Sequence, residues 1–192
     1  MVFDWQLFQL CNSFAGRSPV LDNAIRFLMN DYALTTALVL GLLALWFSGH
    51  SAARRDQNQR AVFSAIAAMS VGNLAIKALN LVYYRPRPFA DHTVTLLFYH
   101  PSDSSFPSNA TSVGFAIATA VWLRNRRAGA VLYVCAVLLG LSRLCGGVHY
   151  PSDILGGLAV GMLSAYLITR KARFLDRLWT AAIGLMRHLL LA

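Results

Sequence analysis

Between Tyr32 and Thr169 the chain divides into five apolar runs, each closed by charged residues, Gly or Pro. They extend from about Tyr32 to Phe47, Ala61 to Tyr83, Ala110 to Leu123, Ala128 to Leu141 and Ile154 to Thr169. Segments of this kind pair their backbone groups internally as helices when they leave water. Of the 192 residues 57% are hydrophobic and only 13% charged, too little polar surface for a soluble globule of this size. The expected fold is one all-α membrane domain over residues 1–192, a bundle of about five transmembrane helices. Several runs hold only 14 to 16 strictly apolar residues, against roughly 20 for a bilayer crossing. Small polar residues at their ends, such as Asp31, Ser108 and Asp153, are expected to extend them.

Amphipathic stretches flank the runs. From Phe3 to Phe14, the residues Phe3, Leu7, Leu10, Cys11 and Phe14 recur at helical spacing against Asp4, Gln6, Gln9 and Asn12. This pattern predicts a helix lying at the membrane interface. A second amphipathic stretch covers about Val20 to Met29, and Lys171 to Ala192 alternates basic and apolar residues as a third. The N-terminal segment has neither a basic start nor a small-residue cleavage site, so it does not read as a signal peptide.

The chain carries 17 Lys and Arg against 8 acidic residues, all of them Asp, for a net charge of +9. No soluble basic face is present to track a phosphate backbone, so the excess does not point to nucleic acid. Ten basic residues fall in three alternate segments: Arg54, Arg55 and Arg60; Arg124, Arg126 and Arg127; Arg170, Lys171, Arg173 and Arg177. The excess of Lys and Arg in cytoplasmic loops puts these three segments in the cytoplasm. The loops Tyr84–Ser108 and Ser142–Asp153 then lie outside. Cys11, Cys135 and Cys145 form no metal-ligand spacing and read as small apolar packing residues.

Arg85, Arg87 and Arg143 lie on that outer side, where orientation leaves them unexplained. Arg85 and Arg87 are fixed by the neighbouring prolines in Tyr84-Arg85-Pro86-Arg87-Pro88-Phe89. Guanidinium groups match phosphate oxygens in pairs. Ser108 and Asn109 open the third run, where a helix start offers unpaired N–H groups and a positive dipole end. His149 and Asp153, four apart across the start of the fifth run, fall on one helix face. A carboxylate on one ring nitrogen would leave the other free to attack. Each group has a plainer reading: the arginines as headgroup anchors, Ser108 and Asp153 as helix caps. Their sharing one membrane face points to phosphoryl transfer instead.

The stretch Ser142-Arg143-x5-His149-x3-Asp153, with Pro107-Ser108 before the third run and the Arg-Pro stretch, resembles the type-2 phosphatidic acid phosphatase superfamily of integral membrane lipid phosphatases. His100-Pro-Ser-Asp103-x-Ser-Phe-Pro-Ser-Asn109 and Arg87-Pro-Phe are similar to its bacterial undecaprenyl-diphosphate phosphatase branch. The resemblance covers roughly Ala61 to Ile168. It implies His149 as the nucleophile of a phosphohistidine intermediate, with Asp153 orienting it. It implies Arg87, Ser108 and Arg143 as phosphate ligands, joined on the residue reading by Asn109 and Arg85, and no metal or other cofactor. The implied substrate is a polyprenyl diphosphate, cleaved at the outer face of the cytoplasmic membrane. The alternatives are a phosphatase of phosphatidylglycerophosphate or another lipid monoester, and a non-catalytic lipid-phosphate binder or transporter.

Two departures from the family pattern carry chemistry. Aligned on Arg87-Pro88, the family lysine of K-x6-R-P is Asn80, while Lys77 stands one helical turn earlier and is the candidate replacement. The histidine of P-S-G-H, the family's general acid, is Ala110. Loss of a general acid penalises a monoester with its basic alkoxide leaving group. A diphosphate, whose leaving group is itself a phosphate, suffers far less.

Overall fold

The computed structural model describes residues 2–30, 32–172 and 174–189, so Met1, Asp31, Arg173 and the last three residues lie outside the description. The regular elements among the described residues are helices, in the order α1 (Val2–Asn12), α2 (Pro19–Met29), α3 (Ala33–Phe47), α4 (Ala52–Asn80), α5 (Pro88–Asp91), α6 (Asn109–Trp122), α7 (Arg126–Cys145), α8 (Pro151–Tyr166) and α9 (Leu175–His188). A π-helical stretch, Leu167–Lys171, prolongs α8.

The centre of the bundle is α6. Thr111, Ser112 and every residue from Gly114 to Val121 are buried, and α4, α7 and α8 pack around them. Close approach to α8 needs Gly157 and Gly161. A Cβ at Gly157 would come within 2.3 Å of the Ser108 carbonyl oxygen, and one at Gly161 within 2.3 Å of that of Ser112. The G-x-x-x-G pair therefore serves packing inside the bundle. Leu38, Leu42, Ala61, Ala65, Phe115, Ile117, Leu132 and Ala165 complete the main core. Cys135 packs against that core, while Cys11 and Cys145 join two smaller clusters under α1 and α2.

The expectation of about five transmembrane helices is corrected. Three helices among the described residues are long and apolar enough to cross a membrane: Ala52–Asn80, Arg126–Cys145 and Pro151–Lys171. A fourth crossing arises only if Pro19–Met29 and Ala33–Phe47, bent by 52° at their junction, act together. The physical reason is length and use. With 14 residues, α6 is about 21 Å long against a hydrocarbon core of about 30 Å. Its apolar run is consumed by helix packing rather than offered to lipid, the other meaning of a short apolar segment.

Boundaries also differ from the runs. The basic segment Arg54–Arg60 is the first turns of α4, capped by the Ser51 hydroxyl accepting from the Arg54 N–H at 3.2 Å. Ser142 and Arg143 belong to the last turn of α7 rather than to a loop. Within Lys171–Ala192, α9 docks on α4 through stacked Phe63 and Trp179, 5.1 Å apart, and Arg60 donating to Thr180.

Because α4, α6, α7 and α8 alternate in direction, the C-terminal ends of α4 and α7 meet the N-terminal ends of α6 and α8. Those four ends deliver Asn80, Asn109, Arg143 and the residues around Pro151 to one end of the bundle. Arg54, Arg124, Arg126 and Lys171 belong to the opposite ends of the same helices.

Candidate active site

At this end lies a cavity of about 350 Å³, lined by residues including Asn80, Arg87, Asp103, Asn109, Arg143 and His149. Ala110 also faces it, and Thr35 and Leu38 of α3 close one side.

His149 precedes α8 and is 5% exposed. Its Nδ1 lies 2.8 Å from the backbone carbonyl oxygen of Ser105 and 3.6 Å from Oδ2 of Asp153. A carbonyl only accepts, so Nδ1 carries the hydrogen and Nε2 keeps its lone pair. That nitrogen stands 3.3 Å from Nη1 of Arg87. Burial pushes the imidazole pKa below its ordinary value, and the Arg87 and Arg143 charges push the same way. The Asp153 hydrogen bond and charge oppose this without reversing it. The ring is held neutral, as a nucleophile must be.

Asp153 thus lies beside the ring at 3.6 Å, and the shorter partner of Nδ1 is Ser105. Fully buried, Asp153 spends its carboxylate elsewhere. Oδ2 accepts from the Ser105 hydroxyl and, at 2.7 Å, from the Tyr150 N–H, closing a capping box on α8. Oδ1 accepts from Arg85 Nη1 at 2.6 Å. Ser105 thereby joins the two residues, its carbonyl on the imidazole and its hydroxyl on the carboxylate. Sequence reasoning missed it, because a serine between two other marked serines carries no periodicity of its own.

Arg85 and Arg87 part company. Arg87, 7% exposed, lines the cavity. Its Nε donates to the Asp103 backbone oxygen at 3.2 Å, Nη1 to the Val148 oxygen at 3.0 Å and Nη2 to Asp103 Oδ1 at 2.8 Å. Arg85 stands behind Asp153, outside the lining. It bridges Asp153 to Asp4 of α1, whose Oδ2 is 2.7 Å from Nη2, and lies over the Tyr150 ring at 4.2 Å. Asp4 also accepts from the N–H and hydroxyl of Ser152, at 2.9 and 2.6 Å. Burial alone would raise the Asp4 pKa, but the Ser152 and Arg85 hydrogen bonds bring it below the usual carboxylate range. An amphipathic N-terminal helix is in this way tied to the site.

The other expected residues divide as well. Arg143 lines the cavity with its guanidinium 4.7 Å above the Phe98 ring, and Asn109 lines it from the first turn of α6. Ser108, fully buried, sits behind the wall, its N–H on the Asp153 carbonyl oxygen at 3.0 Å and its hydroxyl accepting from Thr111 at 3.0 Å. Lys77 is exposed on α4 and is not among the lining residues, whereas Asn80 is. Nearly one turn along the α4 axis separates Lys77 from Asn80 and sets it back from the cavity. Among the described residues no group of three His, Cys or Asp side chains is arranged to hold a metal ion.

A family model described as the PAP2 superfamily matches residues 61–177. Undecaprenyl-diphosphatase BcrC of Bacillus subtilis (strain 168) is 35% identical over 167 residues, covering 87% of this chain and 83% of that protein. The putative undecaprenyl-diphosphatase YbjG of Escherichia coli (strain K12) is 34% identical over 166 residues, covering 84% and 80%. Among solved structures, the crystal structure of Aquifex aeolicus LpxE superposes with a TM-score of 0.67 at 27% identity, covering 88% of this chain and 95% of that one.

Proposed function

The chain belongs to the PAP2 superfamily, and from that premise we propose that this multi-pass membrane lipid phosphatase converts undecaprenyl diphosphate to undecaprenyl phosphate and inorganic phosphate. The observation that carries the reading is the imidazole of His149, hydrogen-bonded through Nδ1 to Ser105 and presenting Nε2 beside Arg87. In the first step Nε2 attacks the terminal phosphorus, the bond to the bridging oxygen breaks, and the lipid monophosphate departs as an anion. Water then attacks the phosphohistidine, the P–N bond breaks and inorganic phosphate leaves. Arg87, Arg143 and the Asn109 end of α6 meet the charge on the equatorial oxygens. Asp153, through Ser105 and the capping box, positions the ring.

The diphosphate is preferred because Ala110 lines the cavity where a general acid would stand. A phosphate leaving group needs no proton to depart, whereas an alkoxide does. The names borne by the relatives from Bacillus subtilis and Escherichia coli support the same substrate. An extracytoplasmic position of the cavity is supported by charge placement, since the basic ends of α4, α7 and α8 lie at the other end of the bundle.

The test is phosphate release by purified protein in detergent, with chelator present. Undecaprenyl diphosphate is expected to be cleaved faster than phosphatidic acid, and His149→Ala is expected to lose about 10³-fold or more in rate. Faster cleavage of the monoester, or an active His149→Ala protein, overturns the reading.

A further inference from the structure

We propose that Asp103 sets the specificity of this site: its carboxylate competes with phosphate for the Arg87 guanidinium, so that free inorganic phosphate is rejected while the lipid diphosphate is accepted. The inference rests on the reading of Arg87 as a phosphate ligand.

Each of the three guanidinium nitrogens of Arg87 has a partner, and four of its five N–H groups are accounted for. The Asp103 backbone oxygen takes Nε, the Val148 oxygen and His149 Nε2 face Nη1, and Asp103 Oδ1 takes Nη2 at 2.8 Å. A phosphate group finds one open N–H, the second on Nη2, and gains a further one, with relief from the Asp103 charge, only by replacing one of these. Two are backbone carbonyls fixed by the chain, and the third is the nucleophile, itself held by Ser105. The remaining partner differs in kind. The Asp103 side chain is 67% exposed against 7% for Arg87, so it can rotate into solvent without exposing the arginine.

The backbone need not move for that exchange. Just past Asp103, the Ser104 hydroxyl accepts from the Arg85 N–H at 3.1 Å and donates to the Phe106 oxygen at 3.1 Å. The Ser105 N–H donates to the Arg85 oxygen at 2.9 Å. With the chain pinned on that side and Nε holding the Asp103 carbonyl, the carboxylate is the mobile part.

An anion that displaces Asp103 loses the Arg87–Asp103 pair and then sits beside a displaced like charge. Inorganic phosphate has only the oxygens of one phosphate group with which to offset this. A lipid diphosphate adds a second phosphate and an apolar chain, so it tolerates the penalty better. After cleavage the same carboxylate returns to Nη2 and favours release of the phosphate.

The test measures inhibition of undecaprenyl diphosphate cleavage by inorganic phosphate in the full chain, for wild type, Asp103→Asn and Asp103→Glu. Asn keeps the oxygen that accepts from Nη2 and removes the charge, so a purely structural role leaves it silent. The Ki for phosphate is expected to fall about three- to tenfold in Asp103→Asn, with a smaller change in KM for the lipid, and to stay near wild type in Asp103→Glu. The gain should vanish when Arg87→Ala is added. An unchanged or raised Ki in Asp103→Asn, or a gain that survives Arg87→Ala, overturns the proposal. Calorimetric titration with inorganic phosphate separates the two readings. Tighter binding to Asp103→Asn without any turnover by wild type sinks the catalytic reading alone; normal turnover with unchanged phosphate binding sinks this one alone.

Discussion

The Nδ1 atom of His149 lies 2.8 Å from the carbonyl oxygen of Ser105, closer than the 3.6 Å that separates it from the carboxylate of Asp153. The proton on the ring is therefore fixed by a backbone group that no side-chain substitution removes. Asp153 contributes its negative charge and holds Ser105 in place.

The pH dependence follows from that division. Burial and the two arginines lower the His149 pKa below 6.5, its ordinary value, so the ring is neutral at pH 7 and protonates only in more acidic solution. The acid limb of kcat/KM is expected below pH 6.5. Asp153→Asn removes the influence that raises the pKa, so the limb should move to still lower pH while the rate falls. The sign for stability is the same. Below about 6.5 the unfolded chain takes up a proton that the folded ring refuses, so stability falls as the pH drops toward the folded pKa. Rate profiles of wild type and Asp153→Asn in detergent check this; a limb that shifts upward contradicts it.

Arg85 and Arg87 should give different variants despite adjoining the same prolines. Arg85→Ala strips the fully buried Asp153 of its cation, and removing one partner of such a pair costs roughly 3 kcal/mol. A clear drop in thermal midpoint is expected. Asp4→Ala, which breaks the outer half of the bridge and the two Ser152 hydrogen bonds but leaves Asp153 its cation, should cost less, about 1–2 kcal/mol. Arg87→Ala, by contrast, should leave the midpoint closer to wild type and reduce kcat/KM. Thermal unfolding followed beside phosphate release distinguishes the two.

Ala110→His restores an acid at the cavity wall. Monoester cleavage is expected to rise about a hundredfold, the lower end of the range for general acid catalysis, with little gain for the diphosphate. The ratio of phosphate released from phosphatidic acid and from undecaprenyl diphosphate measures it. An unchanged ratio would show that Ala110 has no bearing on substrate class.

Orientation can be read from a single cysteine. Asn125 is buried and bonds to Asn58 at 2.9 Å, so a cysteine there would report packing as much as sidedness. Arg127 is exposed at the same end. Arg127→Cys, in a background whose native cysteines are Ser, is expected to resist an impermeant thiol reagent in intact cells and to react after permeabilisation. Labelling in intact cells places the basic end outside.

The sequence by itself determined the helical membrane fold, because apolar runs that leave water must pair their backbone groups internally; His149 and Asp153 became candidates because they stand four apart across a helix start, and Ser142 and Arg143 because the stretch resembles the family motif. It did not determine how apolar length is spent. In α6 that length went into contact with three neighbouring helices rather than with lipid, and only the assembled bundle distinguishes those uses. Nor could spacing separate Arg85 from Arg87, since residues two apart in an extended stretch fall on the same side; only their tertiary partners, Asp153 and Asp4 for one and Asp103 and Val148 for the other, tell them apart. Lys77 is set back from the cavity because a turn of helix carries a side chain along the axis as well as around it. Ser105 and Asp103 entered the site through a loop of no regular period, where position is set by tertiary hydrogen bonds alone.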